Sequence, residues 1–238
     1  MAILLRLLFA HVLSDFFFQS DKICDGKQGK TKGKYVYQLL HSFIHASMAY
    51  LFVADWDNWI IPSVIFISHI LMDYIKVEYM KKDAASFLID QLVHIAVIVA
   101  LWLSLSDHDG NFCQEFFSTE WNRLNIWAVV IAYLLVLKPT SVFLSLFIKK
   151  WSPSESAGKS LPNAGKWIGY FERILILTFI LTGNAEGIGF LLAAKSIFRF
   201  GKLSKAQEIK TTEYVLIGTF ASFTIAILIG FGVLQIIN

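Results

Sequence analysis

Four motifs pair potential metal ligands at i,i+4 spacing: His11 with Asp15, His41 with His45, His69 with Asp73, and Asp90 with His94. On an α-helix this spacing puts both side chains on one face, a turn apart. Five of the six histidines are used this way; His108 is the exception. A lone polar residue in an apolar helix is ordinarily a hydrogen-bonded packing residue. Four pairs in four successive apolar segments point further, because ionisable groups within a membrane are costly and mark function. The expected metal ligands are His11, Asp15, His41, His45, His69, Asp73, Asp90 and His94. One Zn²⁺ needs three or four ligands, so this set serves one or two divalent ions. Mixed imidazole and carboxylate donors without cysteine suit Zn²⁺ first, with Mn²⁺ or Fe²⁺ as alternatives. Asp15, Asp73 and Asp90 are also the expected catalytic carboxylates, since one that does not ligate metal can act as a general base.

The elements that must position these residues are apolar helices. The chain has 238 residues, 56% of them hydrophobic and only 16% charged, with a mean hydropathy of +0.58. That is too apolar for an ordinary soluble domain. Its apolar runs match the length that crosses a bilayer. The expected fold is an all-α, polytopic transmembrane bundle of about eight segments in one domain, 1–238. A ligand-bearing four-helix half covers 1–104, and a second helical half covers 123–238. The first four segments are expected at about Ala2–Gln19, Tyr35–Val53, Trp59–Tyr74 and Ala85–Leu103. The fifth runs from about Arg123 to Leu137, where Lys138-Pro139 breaks it and Thr140–Ile148 continues at the interface. The last three lie at about Trp167–Leu181, Gly187–Phe200 and Glu213–Ile236, with Gly201–Thr212 as a basic loop.

Most of the 21 lysines and arginines fall in the loops after the first, third, fifth and seventh segments. The loops between them have none, and Ser104–Asn122 is acidic. By the positive-inside rule the basic loops are cytoplasmic and both termini lie outside. The basic residues are therefore read first as topology determinants, and no nucleic-acid motif is present. The apolar start reads as a retained transmembrane helix, not a signal peptide. Cys24 and Cys113 fall on opposite sides in this topology, which disfavours a disulfide.

Topology turns the four pairs into one place near the cytoplasmic face. Asp15, His41, Asp73 and Asp90 form an expected shallow layer, and His11, His45, His69 and His94 a layer one turn deeper. Gln19, Gln38 and Gln91 lie at the same depth and either orient ligands or satisfy helix ends. In the second half, Glu172, Arg173, Lys195, Arg199 and Glu213 fall near the same face. They allow two roles. They tie helices together through ion pairs, or Arg173, Lys195 and Arg199 grip a substrate phosphate or carboxylate.

The chain resembles a bacterial family of integral membrane proteins, the domain of unknown function 3307. The resemblance rests on His11-Val-Leu-Ser-Asp15-Phe with Gln19, Leu40-His41 through His45, His69-Ile-Leu-Met-Asp73 and Asp90-Gln91-Leu-Val-His94. It extends to Gly169-Tyr-Phe-Glu172-Arg173, Ala194-Lys195-Ser-Ile-Phe-Arg199-Phe and Glu213-Tyr-Val-Leu-Ile-Gly218-Thr. The resemblance implies a shared membrane architecture and no activity. The His69-Ile-Leu-Met-Asp73 stretch is also similar to one in membrane-bound metal-dependent hydrolases.

The expected function is a metal-dependent hydrolase of the bacterial inner membrane, acting on a lipid or nucleotide phosphate at the cytoplasmic face. A membrane di-iron oxidoreductase is one alternative, suggested by His-x-x-x-His. A divalent-metal transporter is the other. The outer halves of the first four segments are almost wholly apolar, which argues against a continuous path. The expected partners are the lipid bilayer and a small-molecule or lipid phosphate.

Overall fold

The computed structural model describes residues 2–27, 33–105, 121–152, 163–200 and 206–237. Among these residues every regular element is helical. In chain order they are α1 (Ala2–Leu13), α2 (Asp21–Lys27), α3 (Lys34–Val53), α4 (Ile60–Tyr79), α5 (Ala84–Leu105) and α6 (Trp121–Val136). There follow α7 (Lys138–Phe147), α8 (Ala164–Leu181), α9 (Glu186–Phe200) and α10 (Ala206–Ile237). Four described stretches are long and apolar enough to cross a membrane: Ile60–Tyr79, Ala84–Leu105, Asn125–Trp151 and Thr212–Ile237. Counting the bent pair Ile3–Phe18 and Asp21–Lys27 as one span makes five. The chain packs as two compact units, Met1–Ile131 and Ala132–Asn238.

In the first unit, α1 does not end cleanly. It passes into one π-helical turn, Ser14–Phe18, a distortion found often at functional sites. The chain then turns by 90° into α2. Ser20 starts α2: its hydroxyl accepts the Ile23 N–H at 3.4 Å and its carbonyl accepts the Cys24 N–H at 3.0 Å. This helix lies in a stretch whose lysines read as loop. At the far end of α3, Ala54 adopts the left-handed conformation (φ 59°) and donates its N–H to the Tyr50 carbonyl. Pro62 sits in the first turn of α4, where its missing N–H costs no helical bond. Helix α4 also runs beyond its expected end at Tyr74 to Tyr79, which makes Lys76 a helical residue.

The apolar core of this unit is Leu7, Ala49, Val53, Ile61, Ile65, Ile98 and Leu101. Each is offset from a ligand motif along the same helix. Leu7 precedes His11 by one turn, Ala49 follows His45, Ile65 precedes His69 and Ile98 follows His94. One half of the four-helix unit is therefore a dry core, and the polar residues gather in the other half.

The second unit is organised by the break at Pro139. The proline lacks an N–H, so the Leu135 carbonyl four residues back loses its helical donor. The Thr140 hydroxyl donates to that carbonyl at 2.7 Å. Leu137 takes a non-helical conformation between α6 and α7 (φ −84°, ψ −107°). Arg173 of α8 donates to the Val136 carbonyl, to the Leu137 carbonyl at 3.3 Å and to the Ser141 hydroxyl at 2.6 Å. It also donates to Ser222 of α10 at 3.1 Å. Helices α8 and α10 pack closely at Gly230, where an added Cβ would lie 2.7 Å from Ile180 Cδ1. Helix α10 begins at Ala206, inside the stretch that read as a loop; Ala206, Gln207 and Glu208 are good helix formers and extend it.

Candidate metal centre

Helices α1, α3, α4 and α5 bring all five paired histidines together inside the first unit. None of His11, His41, His45, His69 and His94 is more than 4% exposed. The His45 and His69 rings lie 3.8 Å apart, and His69 stacks on His94 at 4.1 Å. The His11 ring is 5.4 Å from His45, 5.7 Å from His69 and 5.3 Å from His94. His41 lies 4.5 Å from His45. The i,i+4 spacing places each pair on one helical face, and the helices turn those faces toward one another.

Asp15 joins this cluster from the π-turn that ends α1. Its Oδ1 accepts from His41 Nε2 at 3.1 Å and from His45 Nε2 at 3.3 Å. Its Oδ2 accepts from the Gln91 amide at 2.8 Å and lies 3.9 Å from His11 Nε2. The Gln91 carbonyl oxygen in turn accepts from His11 Nε2 at 3.3 Å. Gln91 thus positions both members of the first motif, the orienting role weighed for it above. Gln38 is buried on α3, three residues before His41.

Asp73 and Asp90 face ammonium groups. Lys27, the last residue of α2, donates to both Asp73 oxygens at 3.0 and 2.9 Å. Lys76 pairs with Asp90, which also lies 3.5 Å from His94 Nε2. The two expected layers touch. Asp15 binds one histidine from each layer, while Asp73 is held through Lys27. Neither lysine was legible as part of the site, because both read as loop charges fixing topology. The available signal was an excess of carboxylates: three aspartates in apolar helices require countercharge.

Two sets of residues have the spacing of a metal site. One ligand atom from each of His11, His45 and His69 lies within 4.8 Å of the other two, and the same holds for Asp15, His41 and His45. Ligands of a tetrahedral Zn²⁺ at about 2.0–2.1 Å lie roughly 3.4 Å apart, so modest side-chain rotation closes either set. The orphaned atoms fit this reading. His69 Nδ1 donates to the Ile65 carbonyl at 3.0 Å. That bond fixes the tautomer and leaves a lone pair on Nε2, as second partners do for ligating histidines. Among the described residues His69 Nε2 is buried without a hydrogen-bond partner, as are His11 Nδ1, His41 Nδ1 and His94 Nδ1. Buried polar atoms are seldom left this way.

Two of the three expected substrate-gripping residues of the second unit, Arg173 and Lys195, are engaged there. Lys195 on α9 donates to Glu172 on α8 at 2.6 Å, the helix-tying ion pair that was one of the two roles weighed. Arg173 satisfies the carbonyls at the proline break. The Arg199 side chain lies outside the described residues, as do His108 and Cys113.

The described residues define a class: they are all-helical, with four or five helices able to cross a membrane and a buried His/Asp cluster between the first ones. Within that class, the chain belongs to the family described as protein of unknown function DUF3307, whose model matches residues 3–124. All four ligand pairs fall inside the matched stretch, and the motifs of the second half fall beyond it. No curated protein and no solved structure matches the chain.

Proposed function

We propose that this protein is a membrane-embedded, metal-dependent hydrolase acting on a phosphorylated lipid or nucleotide. In this reading the chain crosses the bacterial inner membrane about eight times, with both termini outside and the cluster toward the cytoplasm. The observation that carries it is the gathering of five imidazoles in one buried cluster, three of them against the Asp15 carboxylate, with buried ring nitrogens left unmatched. A divalent ion held there, Zn²⁺ first and Mn²⁺ or Fe²⁺ as alternatives, would supply a Lewis acid and a water acidic enough to ionise near neutral pH.

The chain's own residues provide the rest. Asp15 faces the imidazoles directly, so it either ligates or takes a proton from the attacking water. Gln91 holds Asp15 and His11 in register. The ammonium groups of Lys27 and Lys76 supply positive charge and hold Asp73 and Asp90 in place. With the imidazoles neutral, as ligands must be, Asp15, Asp73 and Asp90 against Lys27 and Lys76 leave one negative charge. One divalent ion turns that into one positive charge, which suits an anionic substrate.

The imidazole-rich donor set also favours a second reading, a di-iron oxidoreductase, because imidazole suits iron as well as zinc. Transport is less well supported: along the same helices the cluster is followed by an apolar core of Leu7, Ala49, Val53, Ile61, Ile65, Ile98 and Leu101 that offers an ion no ligands. The test is phosphate release from a panel of lipid phosphates and nucleotides by reconstituted protein with Zn²⁺, Mn²⁺ or Fe²⁺. Release by the wild type and its loss in Asp15→Ala support the proposal. Metal-loaded protein that releases nothing from the panel, or that consumes oxygen with iron, refutes the hydrolase reading.

A further inference from the structure

We infer that the centre offers a divalent cation two overlapping positions that share His45 and are therefore filled one at a time. This inference rests on the metal-centre part of the reading above and not on hydrolysis. One position is made of three nitrogens, from His11, His45 and His69. The other is made of one oxygen and two nitrogens, from Asp15, His41 and His45. His45 belongs to both sets and sits between them, 3.8 Å from His69 on one side and 4.5 Å from His41 on the other, ring to ring.

Two arguments make the positions exclusive. The first is chemical. A neutral imidazole has one lone pair in its plane and one N–H, so it ligates one ion. Serving two ions at once requires stripping the remaining proton to give an imidazolate, which neutral water does not do readily. The second is electrostatic. The carboxylates and ammonium groups of the cluster sum to one negative charge, so one divalent ion leaves +1 and two would leave +3. The surrounding imidazoles and Ile65, Ile98 and Leu7 are nearly inaccessible to water, and uncompensated charge in such a medium is heavily disfavoured.

The two positions also differ in kind. Asp15 Oδ1 already draws the Nε2 atoms of His41 and His45 together, so the mixed position has its atoms gathered around a hard oxygen, and an ion there would replace the two hydrogen-bonding protons as each ring shifts its N–H to Nδ1. The three-nitrogen position has the buried lone pair of His69 Nε2, oriented by the Ile65 carbonyl. Zinc and the later transition metals favour the nitrogen set, and manganese the set containing oxygen. Each set keeps private ligands: His11 and His69 for one, Asp15 and His41 for the other. Removing one private ligand therefore leaves the other position intact, whereas removing His45 damages both.

The experiment measures zinc and cobalt binding to the purified full-length protein in detergent, by equilibrium dialysis with elemental analysis, alongside the Co²⁺ absorption spectrum. The variants are His69→Ala, His41→Ala, His45→Ala and His45→Gln, each checked for native helicity and a monodisperse elution profile. The wild type should bind one ion per chain at saturation. His69→Ala and His41→Ala should each still bind one ion, and their Co²⁺ spectra should differ from each other. Both His45 variants should bind at least about tenfold more weakly than either. Two ions bound together by the wild type would overturn the inference and leave the metal centre standing. So would one private-ligand variant abolishing binding while the other leaves it untouched. A wild type that binds neither metal would remove the metal centre itself, and this inference with it.

Discussion

Replacing Lys27 by Met leaves the Asp73 carboxylate buried without its ammonium partner. The pair is nearly closed to solvent, with side chains 8% and 6% exposed and two N–O contacts of 3.0 and 2.9 Å. Removing one member of a buried pair costs about 3–5 kcal/mol, and two lost charge-assisted hydrogen bonds at about 1.5–3 kcal/mol each give about 3–6 kcal/mol, an overlapping range. At the lower bound the folding equilibrium moves by roughly a hundredfold. Replacing both residues, as Lys27→Met with Asp73→Leu, removes the stranded charge, and the double variant should return to within about 1 kcal/mol of wild type. The assay is reversible unfolding in mixed micelles, followed by far-UV helicity. A single variant within about 1 kcal/mol of wild type would refute the argument, as would a double variant no better than the single. The double variant also separates two roles for Asp73. With its charge held by Lys27, Asp73 is a tie between α2 and α4, so metal content should be unchanged. Loss of metal would make Asp73 a ligand.

Two further predictions follow from the same structure. Arg173→Ala should expose the carbonyls at the Pro139 break and leave Ser141 and Ser222 without their donor. It should destabilise the protein by a few kcal/mol, at about 1–3 kcal/mol for each buried group left unsatisfied, while metal content stays at the wild-type value. Asp83 caps α5 by accepting the Ser86 N–H at 2.8 Å, and that bond, with the Ser86 hydroxyl, holds its carboxyl below the usual aspartate range. A depressed folded value stabilises the fold above the unfolded pKa and is lost as pH falls through the folded one. Asp83→Ala should therefore lower the melting temperature at neutral pH and lose that difference at strongly acidic pH, as a pH series of melting curves would record.

How much was legible in the sequence depends on the range of the interaction. The i,i+4 pairs and the apolar runs are local, and they sufficed to place His11, His41, His45, His69 and His94 on helical faces that meet. Asp15 was named, but its central place depends on the π-turn, which no residue in Ser14–Phe18 announces. Lys27 and Lys76 were read as loop charges because their partners lie 46 and 14 residues away. Long flexible side chains reach such partners only once the helices are packed. Arg173 was weighed as a substrate grip or an ion-pair partner. Its acceptors, the Val136 and Leu137 carbonyls, are invisible to residue-type reasoning; Pro139 announces only that the Leu135 carbonyl needs another donor, and Thr140 is that donor.

X-ray absorption at the zinc edge, on purified protein dialysed against Zn²⁺, reads whether the imidazoles of the buried cluster hold a metal ion. An ion held there gives nitrogen and oxygen ligands at about 2.0–2.1 Å with the outer-shell scattering of at least two imidazoles, and His45→Ala loses that imidazole signal. A first shell of water oxygens alone, or one unchanged by His45→Ala, would contradict a metal ion held by these imidazoles.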